Sequence, residues 1–439
     1  MKGEVEPDRP GALSWLTEPF SALLLVNFTG SLGFSIVMPF LVYLVHMWGG
    51  NALIYGLVAA AYSAFQFIGS PLLGRWSDVW GRKRILFLSQ AGSVASWVIA
   101  LAGFYVPMLT FAKIDSSVLG TFTLTLPLAL LFLARALDGL TGGNVSVANA
   151  YVADISTPEQ RKANFGKLAA SSNVGVVIGP ALAGLLVSTA LGYKLPIMVA
   201  AIVCFIATMM IWLRLPDSQP VAAAIHPTAP SAIDACSSRN HLTRADRPAS
   251  ATLSVSEILN LPRISLLMCA SFLVNLAFSI FNITLPVYVV KALDWSPGKM
   301  GAFFAVMSVV MVVVEGPMLR NLSKVCSNVV FIAGGGLLLG FGFLLLDTRS
   351  DMTVFAAGIL IGVGNGLMWP LLVALLSAKA GEHQGAVQGL AGSVAAIASI
   401  IGLLLGGLLY ESLQGWLFVT SAILTFAVVV MALCAKREG

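Results

Sequence analysis

Charged side chains within long apolar segments are the residues of this sequence whose chemistry most needs an explanation. Arg135 and Asp138 lie in one such segment, and Glu315 lies near the end of another. A charge at the centre of a bilayer costs about 3 kcal/mol on insertion scales, so it is expected to face a polar cavity and marks a candidate functional site. Because Arg135 and Asp138 are three residues apart, they share a helix face and partly neutralise each other.

The predicted proton-coupling residues are Arg135, Asp138 and Glu315. We hypothesise that Asp138 binds and releases a proton, while Arg135, as a nearby cation, stabilises its ionised form. The alternative is a static internal ion pair. Glu315 precedes a Gly-Pro pair, and it is either a second proton or cation-recognition group or an acid near the membrane edge that pairs with Arg320.

A second candidate site is the string GRWSDVWGRKR, which begins at Gly74 between the second and third predicted helices. We expect a tight loop in which Gly74 lets a neighbouring helix approach and Asp78 accepts backbone N–H groups at a helix N-terminus. Arg82 is expected to reach Asp154 at the end of the fourth helix. The predicted conformational latch comprises Gly74, Asp78, Gly81, Arg82, Lys83 and Asp154. The alternative is that the basic residues only set membrane topology.

The fifth predicted helix carries a run of small residues, GVVIGPALAG, with candidate positions Gly175, Gly179, Pro180 and Gly184. Small side chains allow two helix backbones to pack closely in a membrane. Pro180 has no backbone N–H and can kink the helix. The run predicts a smooth, bendable helix face, and ordinary small-residue packing is the alternative explanation.

The elements that position these residues follow from the composition. Of 439 residues, 58% are hydrophobic and 10% are charged, whereas about 25% are charged in an average soluble protein. This deficit excludes an ordinary water-soluble enzyme and a disordered chain. Apolar runs long enough to cross a bilayer predict twelve helices, at 20–45, 53–74, 84–106, 125–153, 163–190, 195–214, 263–290, 298–319, 328–346, 353–378, 385–410 and 414–434. The predicted fold class is an all-α membrane protein with twelve transmembrane helices in two six-helix pseudo-symmetric halves.

Basic residues predict the orientation of these helices. Of the 25 Lys and Arg residues, nineteen fall on the side that holds both termini and five fall on the other side, with Arg135 inside a span. The positive-inside rule therefore predicts cytoplasmic termini, and we expect a multi-pass protein of the plasma (inner) membrane. The predicted divisions are a tail 1–19, a first half 20–214, a cytoplasmic linker 215–262, a second half 263–434 and a tail 435–439.

The linker 215–262 is rich in Pro, Ala and Ser and cannot bury a core of its own. A docking or regulatory role for it is an open alternative. The two halves that it joins resemble each other: FSIVMP at 34–39 is similar to FNITLP at 281–286, and Gly184 in the fifth helix matches Gly407 in the eleventh. Such matches recur in the same order along the chain, and they predict two parallel halves around a central pathway.

Other chemistries have no support in the sequence. The five cysteines are far apart and form no C-x-x-C pair, so neither a disulfide framework nor a zinc site is predicted. The basic residues are dispersed, which argues against a nucleic-acid partner, and the sequence has no Walker motif for ATP. We expect no cofactor, no metal and a monomer whose partners are a small-molecule substrate, protons and the lipid bilayer.

The string at 74–84 resembles the loop signature of the major facilitator superfamily, G-x-x-x-D-x-x-G-R-[RK], in which Val79 replaces a common basic residue. Within that superfamily the chain looks most like the twelve-helix drug/proton antiporters, including the tetracycline antiporter type. The run in the fifth helix resembles their motif G-x-x-x-G-P-x-x-G-G, with Ala183 in place of one glycine. Arg135 with Gly139 is similar to their pattern R-x-x-x-G, in which the arginine is associated with proton transfer. The resemblance covers nearly the whole first half and only the helix pattern of the second.

The resemblance implies that helices 1, 4, 7 and 10 line a central cavity. The predicted substrate contacts are therefore Asn27, Asn282, Asn365 and Trp369. Hydrogen bonding between helices is the alternative explanation for the asparagines. The tetracycline antiporters carry an acid in helix 1, where this chain has Asn27 and Thr29. A cavity otherwise walled by Phe, Leu, Met and Val suits an amphipathic organic molecule better than a sugar.

These observations predict a secondary active transporter that exports small amphipathic compounds or drugs in exchange for protons by alternating access. One alternative is a proton symporter or facilitator of the same fold that imports a metabolite. A more distant alternative is a non-transporting membrane scaffold. We do not expect an enzyme, because the spans hold no His or Cys cluster and no nucleophile with a base at a recognisable spacing.

Overall fold

The computed structural model of the chain describes residues 19–116, 119–142, 144–216, 255–261, 263–318, 328–380 and 384–437. The first half contains α1 (Pro19–Met47), α2 (Ala52–Trp80), α3 (Arg82–Ala102), α4 (Leu126–Thr141), α5 (Asn144–Ile155), α6 (Pro158–Val187) and α7 (Lys194–Arg214). The second half contains α8 (Val255–Leu259), α9 (Ile264–Leu293), α10 (Pro297–Val313), α11 (Asn328–Leu345), α12 (Asp351–Ala380), α13 (Gln384–Leu413) and α14 (Trp416–Arg437).

Eleven helical segments in the described ranges are long and apolar enough to cross a membrane, and Val329–Leu345 is a shorter apolar helix. Helices dominate because a bilayer offers no water to satisfy backbone N–H and C=O groups, and a helix satisfies them internally. The fourth span consists of α4 and α5 together, so spans five and six are α6 and α7, and spans seven to twelve are α9 to α14. The predicted all-α membrane fold is confirmed.

The two halves repeat one packing scheme. In the first half α1 packs against α6 and α7, α2 against α4, and α3 against α4 and α7. In the second half α9 packs against α13 and α14, α10 against α12, and α11 against α12 and α14. The halves meet where α2 packs against α13 and α6 packs against α10. The pseudo-symmetry that the sequence repeats predict is therefore present in the packing.

The bundle has two ends with different cores. The hairpin end holds the connections after α1, α3, α6, α9, α11 and α13, and the terminal end is the end at which α1 begins. One hydrophobic core spans both halves and includes Phe40, Tyr55 and Phe281. Towards the terminal end the core divides into one cluster around Leu23 and Val147 of the first half and a separate cluster of the second half.

A β-hairpin between α3 and α4 was not expected from the sequence. Strands β1 (Thr110–Ser116) and β2 (Gly120–Thr125) pair antiparallel. The hairpin packs on the α1–α2 connection, where the Thr123 N–H donates to the Gly49 carbonyl at 2.7 Å and the Asn51 side chain donates to the Leu119 carbonyl at 2.8 Å.

The predicted fourth helix, 125–153, corresponds to α4 and α5, which together form one candidate membrane span, Leu126–Ile155. Helix α4 ends at Thr141 and α5 begins at Asn144, and residue 143 between them lies outside the described residues. Helix α14 continues to Arg437, within the predicted tail 435–439. Residues 1–18 of the predicted tail 1–19 and most of the linker lie outside the described residues. The described end of the linker includes α8, whose Ile258 is buried against the second half.

Candidate functional site

The interface between the halves is closed at the hairpin end by two glycine crossings. Where α6 meets α10, a Cβ on Gly301 would lie 2.5 Å from the Gly184 Cα and 2.9 Å from the Pro180 carbonyl oxygen. Where α2 meets α13, a Cβ on Gly407 would lie 3.0 Å from the Gly56 Cα. Only glycine allows such an approach of two backbones, so the two pairs close this end in pseudo-symmetric fashion.

The terminal end of these elements has open space beside several glycines. A Cβ added to any of five glycines near this end would meet no atom within 4 Å. These glycines lie in α2, α6, α13 and the segment after α10, and they are Gly74, Gly166, Gly389, Gly392 and Gly316. Together with the divided core, this pattern shows an interface that is open at the terminal end.

A cavity of about 590 Å³ lies between α6 and α10 on the terminal-end side of their crossing. Its lining is mostly aliphatic, with Val177 and Ile178 on α6 and Val312 on α10. Asn173 and Glu315 are the only polar side chains among the lining residues that the structure describes. We call this cavity the α6–α10 cleft.

Glu315 lies in a π-helical segment, Val314–Met318, that follows α10. Pro317 has no backbone N–H to donate, and insertion of an extra residue into a helical turn changes the direction of neighbouring side chains. Glu315 is half-buried, and none of the described residues forms an ion pair or hydrogen bond with it. Its predicted alternative partner, Arg320, lies outside the described residues.

Arg135 and Asp138 lie elsewhere, inside the first half. Their side chains form an ion pair at 3.3 Å on the same face of α4, as predicted, and both residues are buried. The Arg135 guanidinium also lies 4.5 Å from the centre of the Tyr62 ring on α2, and the hydroxyls of Ser93 and Ser96 on α3 face the Asp138 carboxylate.

The expectation that Arg135 faces a polar cavity was wrong. The adjoining cavity has a volume of about 10 Å³, room for about one water molecule. Its lining is mostly apolar, for example Phe40, Trp97 and Leu131. Arg135 Nε and Nη2 are buried and have no hydrogen-bond partner among the described residues. Its neutralising groups are the adjacent carboxylate and the Tyr62 ring, so this charge is compensated by packing from α2, α3 and α4.

The predicted latch residues come together at the terminal end. Arg82 Nε lies 3.1 Å from the Asp154 carboxylate on α5, the predicted partner, and Arg82 Nη1 contacts the Asp78 carboxylate at 2.5 Å and the Ser77 hydroxyl at 2.6 Å. Lys83 follows Arg82 in the first turn of α3. Gly81, at φ 92°, separates α2 from α3 in a conformation that glycine adopts without strain.

Two details of the predicted latch were wrong. Gly74 and Asp78 lie inside α2, which continues to Trp80, and not in a loop. Among the described residues, no atom lies within 4 Å of a Cβ added to Gly74, and Asp78 occupies the last turn of α2 instead of a helix N-terminus. The predicted loop shrinks to Gly81 because the helix continues through WSDVW to Trp80, and only one residue is needed for the turn.

The small-residue run of α6 packs in two directions. A Cβ on Gly175 would lie 2.6 Å from the Phe28 carbonyl oxygen, and a Cβ on Gly179 would lie 2.9 Å from the Ile36 backbone nitrogen, both on α1. Gly184 packs on α10 of the other half, and Pro180 lies inside the helix. The run therefore joins α6 both to its own half and across the interface.

The predicted substrate contacts are not gathered at one point. Asn27 is 2% exposed, and its Oδ1 has no hydrogen-bond partner among the described residues. The Asn282 carbonyl oxygen lies 3.5 Å from the Tyr55 hydroxyl across the interface. The Asn365 Nδ2 lies 3.2 Å from the sulfur of Met311. Met311 precedes Glu315 by one helical turn. Trp369 is half-buried and precedes a residue that lines the α6–α10 cleft, Pro370.

Sequence reasoning missed several residues of these sites. Tyr62 had no signal beyond its place on an interface helix, and Asn173 had none. Gly56 and Gly301 did have a signal: they are 245 residues apart, close to the separation of the segments 34–39 and 281–286, so a fuller comparison of the halves would have paired them.

The comparisons with known proteins agree with one another. The family model described as Major Facilitator Superfamily matches residues 23–394 and 322–438. The tetracycline resistance protein, class D, of Salmonella ordonez is 24% identical over 406 residues, which cover 91% of this chain and 91% of that protein. Multidrug resistance protein 2 of Bacillus subtilis is 24% identical over 89% of this chain and 88% of its own length. The crystal structure of the human organic anion transporter MFSD10 (TETRAN) has a TM-score of 0.63 at 20% identity, covering 94% of this chain and 98% of that chain.

Proposed function

The chain belongs to the major facilitator superfamily of transporters, and from this premise we propose that it exports small amphipathic organic compounds in exchange for protons. The observation that carries the proposal is the asymmetric interface, with glycine crossings at the hairpin end and a cleft open at the terminal end. Alternating access requires such a state together with its opposite. Similarity to tetracycline and multidrug resistance proteins supports export.

The side to which the cleft opens follows from the basic residues. Arg75, Arg82, Lys83 and Arg84 cluster near the terminal end, and the positive-inside rule assigns such a cluster to the cytoplasm. We therefore propose that the α6–α10 cleft accepts substrate from the cytoplasmic side. The opposite state, open at the hairpin end, releases it outside the cell.

The Arg135–Asp138 pair supplies the proton site in this proposal. An ionised Asp138 balances the buried charge of Arg135 at 3.3 Å. Protonation of Asp138 leaves Arg135 uncompensated in a mostly apolar site, which is costly. In this proposal Asp138 binds its proton more tightly in one of the two facing states than in the other, because a proton shifts populations only through such a difference in affinity.

Helix α2 links this pair to the interface. It carries Tyr62, whose ring faces the Arg135 guanidinium, and Gly56, which packs on Gly407 of α13. Tyr55 of the same helix lies against the Asn282 carbonyl of α9. A displacement of Arg135 on protonation of Asp138 is therefore transmitted by one rigid helix to the hairpin-end crossing.

Transport by reconstituted protein tests the proposal. Proteoliposomes with an acidic lumen and inverted protein are expected to accumulate tetracycline or a lipophilic dye from a test panel, and dissipation of the pH gradient should abolish accumulation. Asp138→Asn fixes the site in a neutral form, so gradient-driven accumulation should be lost while exchange of substrate for substrate is retained. Full gradient-driven accumulation by Asp138→Asn would contradict the coupling role.

A matched control separates this effect from a general loss of charge. Asp115 lies on the exposed β1 strand, where it accepts a hydrogen bond from the Thr121 hydroxyl at 2.8 Å. Asp115→Asn removes the same charge outside the bundle and should leave accumulation unchanged. Accumulation in a vesicle with an alkaline lumen, with none in the acidic one, would instead indicate an importer that moves substrate together with protons.

A further inference from the structure

A second cavity lies within the second half, at its terminal end. Its volume is about 100 Å³, and its lining comes from α9, α11, α12 and α14 together with the residue before α9. Two of the described lining residues, Arg263 and Lys379, are cations, and all the others are apolar. The cavity shares no lining residue with the α6–α10 cleft. We call it the second-half pocket.

The two cations of this pocket lie at the depth of lipid headgroups. Arg263 immediately precedes α9, and Lys379 lies in the last turn of α12. Each of these helices has 30 residues and is therefore about 45 Å long at 1.5 Å per residue. That length matches a bilayer with its headgroups included, about 40–45 Å. Both cations consequently lie in the headgroup layer and not in the hydrocarbon core.

The apolar wall of the pocket extends from the cations toward the bilayer centre. Ala270 lines the pocket seven residues after Arg263 on α9. Leu372 lines it seven residues before Lys379 on α12. Seven residues correspond to about 10 Å along a helix. The pocket is therefore positive at the headgroup layer and apolar for about 10 Å below it, which matches an anionic group joined to an alkyl chain.

The protein itself does not neutralise these cations. In the described part of the chain, no carboxylate forms an ion pair with Arg263 or Lys379, and no acid lines the pocket. Both side chains are exposed, so a hydrated headgroup can approach them. A guanidinium binds a phosphate through two hydrogen bonds, and a lysine ammonium binds it as a point charge.

The size of the pocket separates a lipid from a transported compound. Its volume of about 100 Å³ lies below the range of about 300–1,000 Å³ that encloses a drug-sized molecule. Part of one acyl chain fits this space, and each buried CH₂ contributes ~0.8 kcal/mol. The rest of a lipid can stay in the bilayer, whereas a whole substrate molecule would not be enclosed.

We propose that the second-half pocket binds an anionic phospholipid, with the phosphate between Arg263 and Lys379 and one acyl chain against Ala270 and Leu372. A zwitterionic lipid binds less tightly, because its own cation is repelled by the two basic side chains. Basic pockets between transmembrane helices on the cytoplasmic side bind anionic headgroups in other membrane proteins. The cytoplasmic assignment of the terminal end belongs to the proposed function, but lipid binding depends neither on that assignment nor on transport.

Native mass spectrometry of the purified full chain in detergent, titrated with phosphatidylglycerol, tests the proposal. The double variant Arg263→Gln/Lys379→Gln should weaken binding of the first lipid about 30-fold, which corresponds to about 2 kcal/mol. Failure of the wild type to bind, or an equal Kd in the wild type and this variant, would overturn the proposal.

A matched double variant controls for the loss of two positive charges. Lys167→Gln/Arg214→Gln removes one lysine and one arginine from exposed positions of α6 and α7 near the terminal end of the first half. Its Kd for phosphatidylglycerol should equal that of the wild type. If both double variants weaken binding equally, the lipid responds to overall charge and the proposed site is wrong.

Two other ligands separate the intact lipid from its parts. Phosphatidylcholine with the same acyl chains should bind the wild type about tenfold more weakly than phosphatidylglycerol. Inorganic phosphate, at the same concentration as the lipid, should not displace phosphatidylglycerol. Equal binding of the two lipids would contradict a role for the cations, and displacement by phosphate would identify a site for a free anion instead of a lipid.

A pair of tryptophan variants on α14 tests where the acyl chain lies. Ala432 lines the pocket, and Ala432→Trp should fill it and abolish binding of phosphatidylglycerol. Ala427 lies on the same helix and is exposed, so Ala427→Trp should leave the Kd unchanged. If both tryptophan variants lose binding, or if neither does, the lipid does not occupy the second-half pocket.

Discussion

The two ends of the α6–α10 interface use the same kind of residue with opposite results. At the hairpin end Gly184 and Gly301 bring two backbones into contact, while at the terminal end Gly166 and Gly316 face open space. Small residues in membrane helices permit close packing but do not enforce it. Glycine spacing therefore shows where two helices are able to meet, and the facing state of the molecule decides whether they do.

Alanine substitutions at the two ends should have opposite effects on stability. A Cβ on Gly301 would lie 2.5 Å from the Gly184 Cα and 2.9 Å from a backbone carbonyl, so Gly301→Ala forces the crossing apart. Overpacking of this kind costs about 1–3 kcal/mol. We expect a lower midpoint of thermal unfolding in detergent and increased exposure of the hairpin end.

Gly389→Ala is the matched control. Gly389 lies in helix α13, and a Cβ added to it would meet no atom within 4 Å. Replacing glycine by alanine at an unobstructed helix position raises the free energy of unfolding by up to about 1 kcal/mol. The midpoint should stay the same or rise. If Gly301→Ala and Gly389→Ala shift the midpoint by the same amount in the same direction, the two ends do not differ as the structure shows.

Much of this architecture could be predicted from the sequence, because a bilayer makes hydrophobicity nearly sufficient to locate helices. The repeat of 34–39 at 281–286 gave the pseudo-symmetric halves. The β-hairpin was missed because its strands, such as Thr110–Ser116, are short and lie outside the bilayer-spanning runs.

The sites were predicted less completely, and the reason is physical. Spacing along one helix predicted the Arg135–Asp138 pair, and complementary charge predicted the Arg82–Asp154 contact. The surroundings of these groups depend on helices distant in sequence. The closed, mostly apolar cavity at Arg135 and the unoccupied space at Gly74 both arise from how α2, α3 and α4 pack in one facing state, which no local pattern encodes.

At the terminal end, ion pairs join helices of the first half to one another, whereas at the hairpin end backbone contacts join the two halves. Arg82→Gln tests what these ion pairs contribute. Arg82 contacts Asp78 and Asp154, whose side chains are 56% and 45% exposed. Exposed ion pairs contribute up to about 1 kcal/mol each, so thermal stability should fall little. If these contacts order the α2–α3 junction against α5 during the transport cycle, substrate exchange in proteoliposomes should slow several-fold.

Arg84→Gln controls for the loss of one positive charge from the same junction. Arg84 is exposed, and no carboxylate in the described ranges forms an ion pair with it. Its exchange rate should match wild type. A similar loss of exchange in Arg82→Gln and Arg84→Gln would indicate that the basic residues act only through topology, and not through a latch.

Side-chain hydrogen bonds also link the halves at the hairpin end, and the removal of one of them should have the smallest effect. The Tyr43 hydroxyl of α1 donates to the Trp295 carbonyl oxygen beyond α9, and Tyr43→Phe removes this bond at a cost of about 1 kcal/mol. The test uses a protein whose native cysteines are replaced by serine and which carries Ala52→Cys, a site buried at the crossing. In this background, Tyr43→Phe should make maleimide labelling of the cysteine at position 52 faster. Tyr105→Phe alters a side chain 70% exposed and should not change labelling. Unchanged labelling in Tyr43→Phe would show that this hydrogen bond does not help to keep the hairpin end closed.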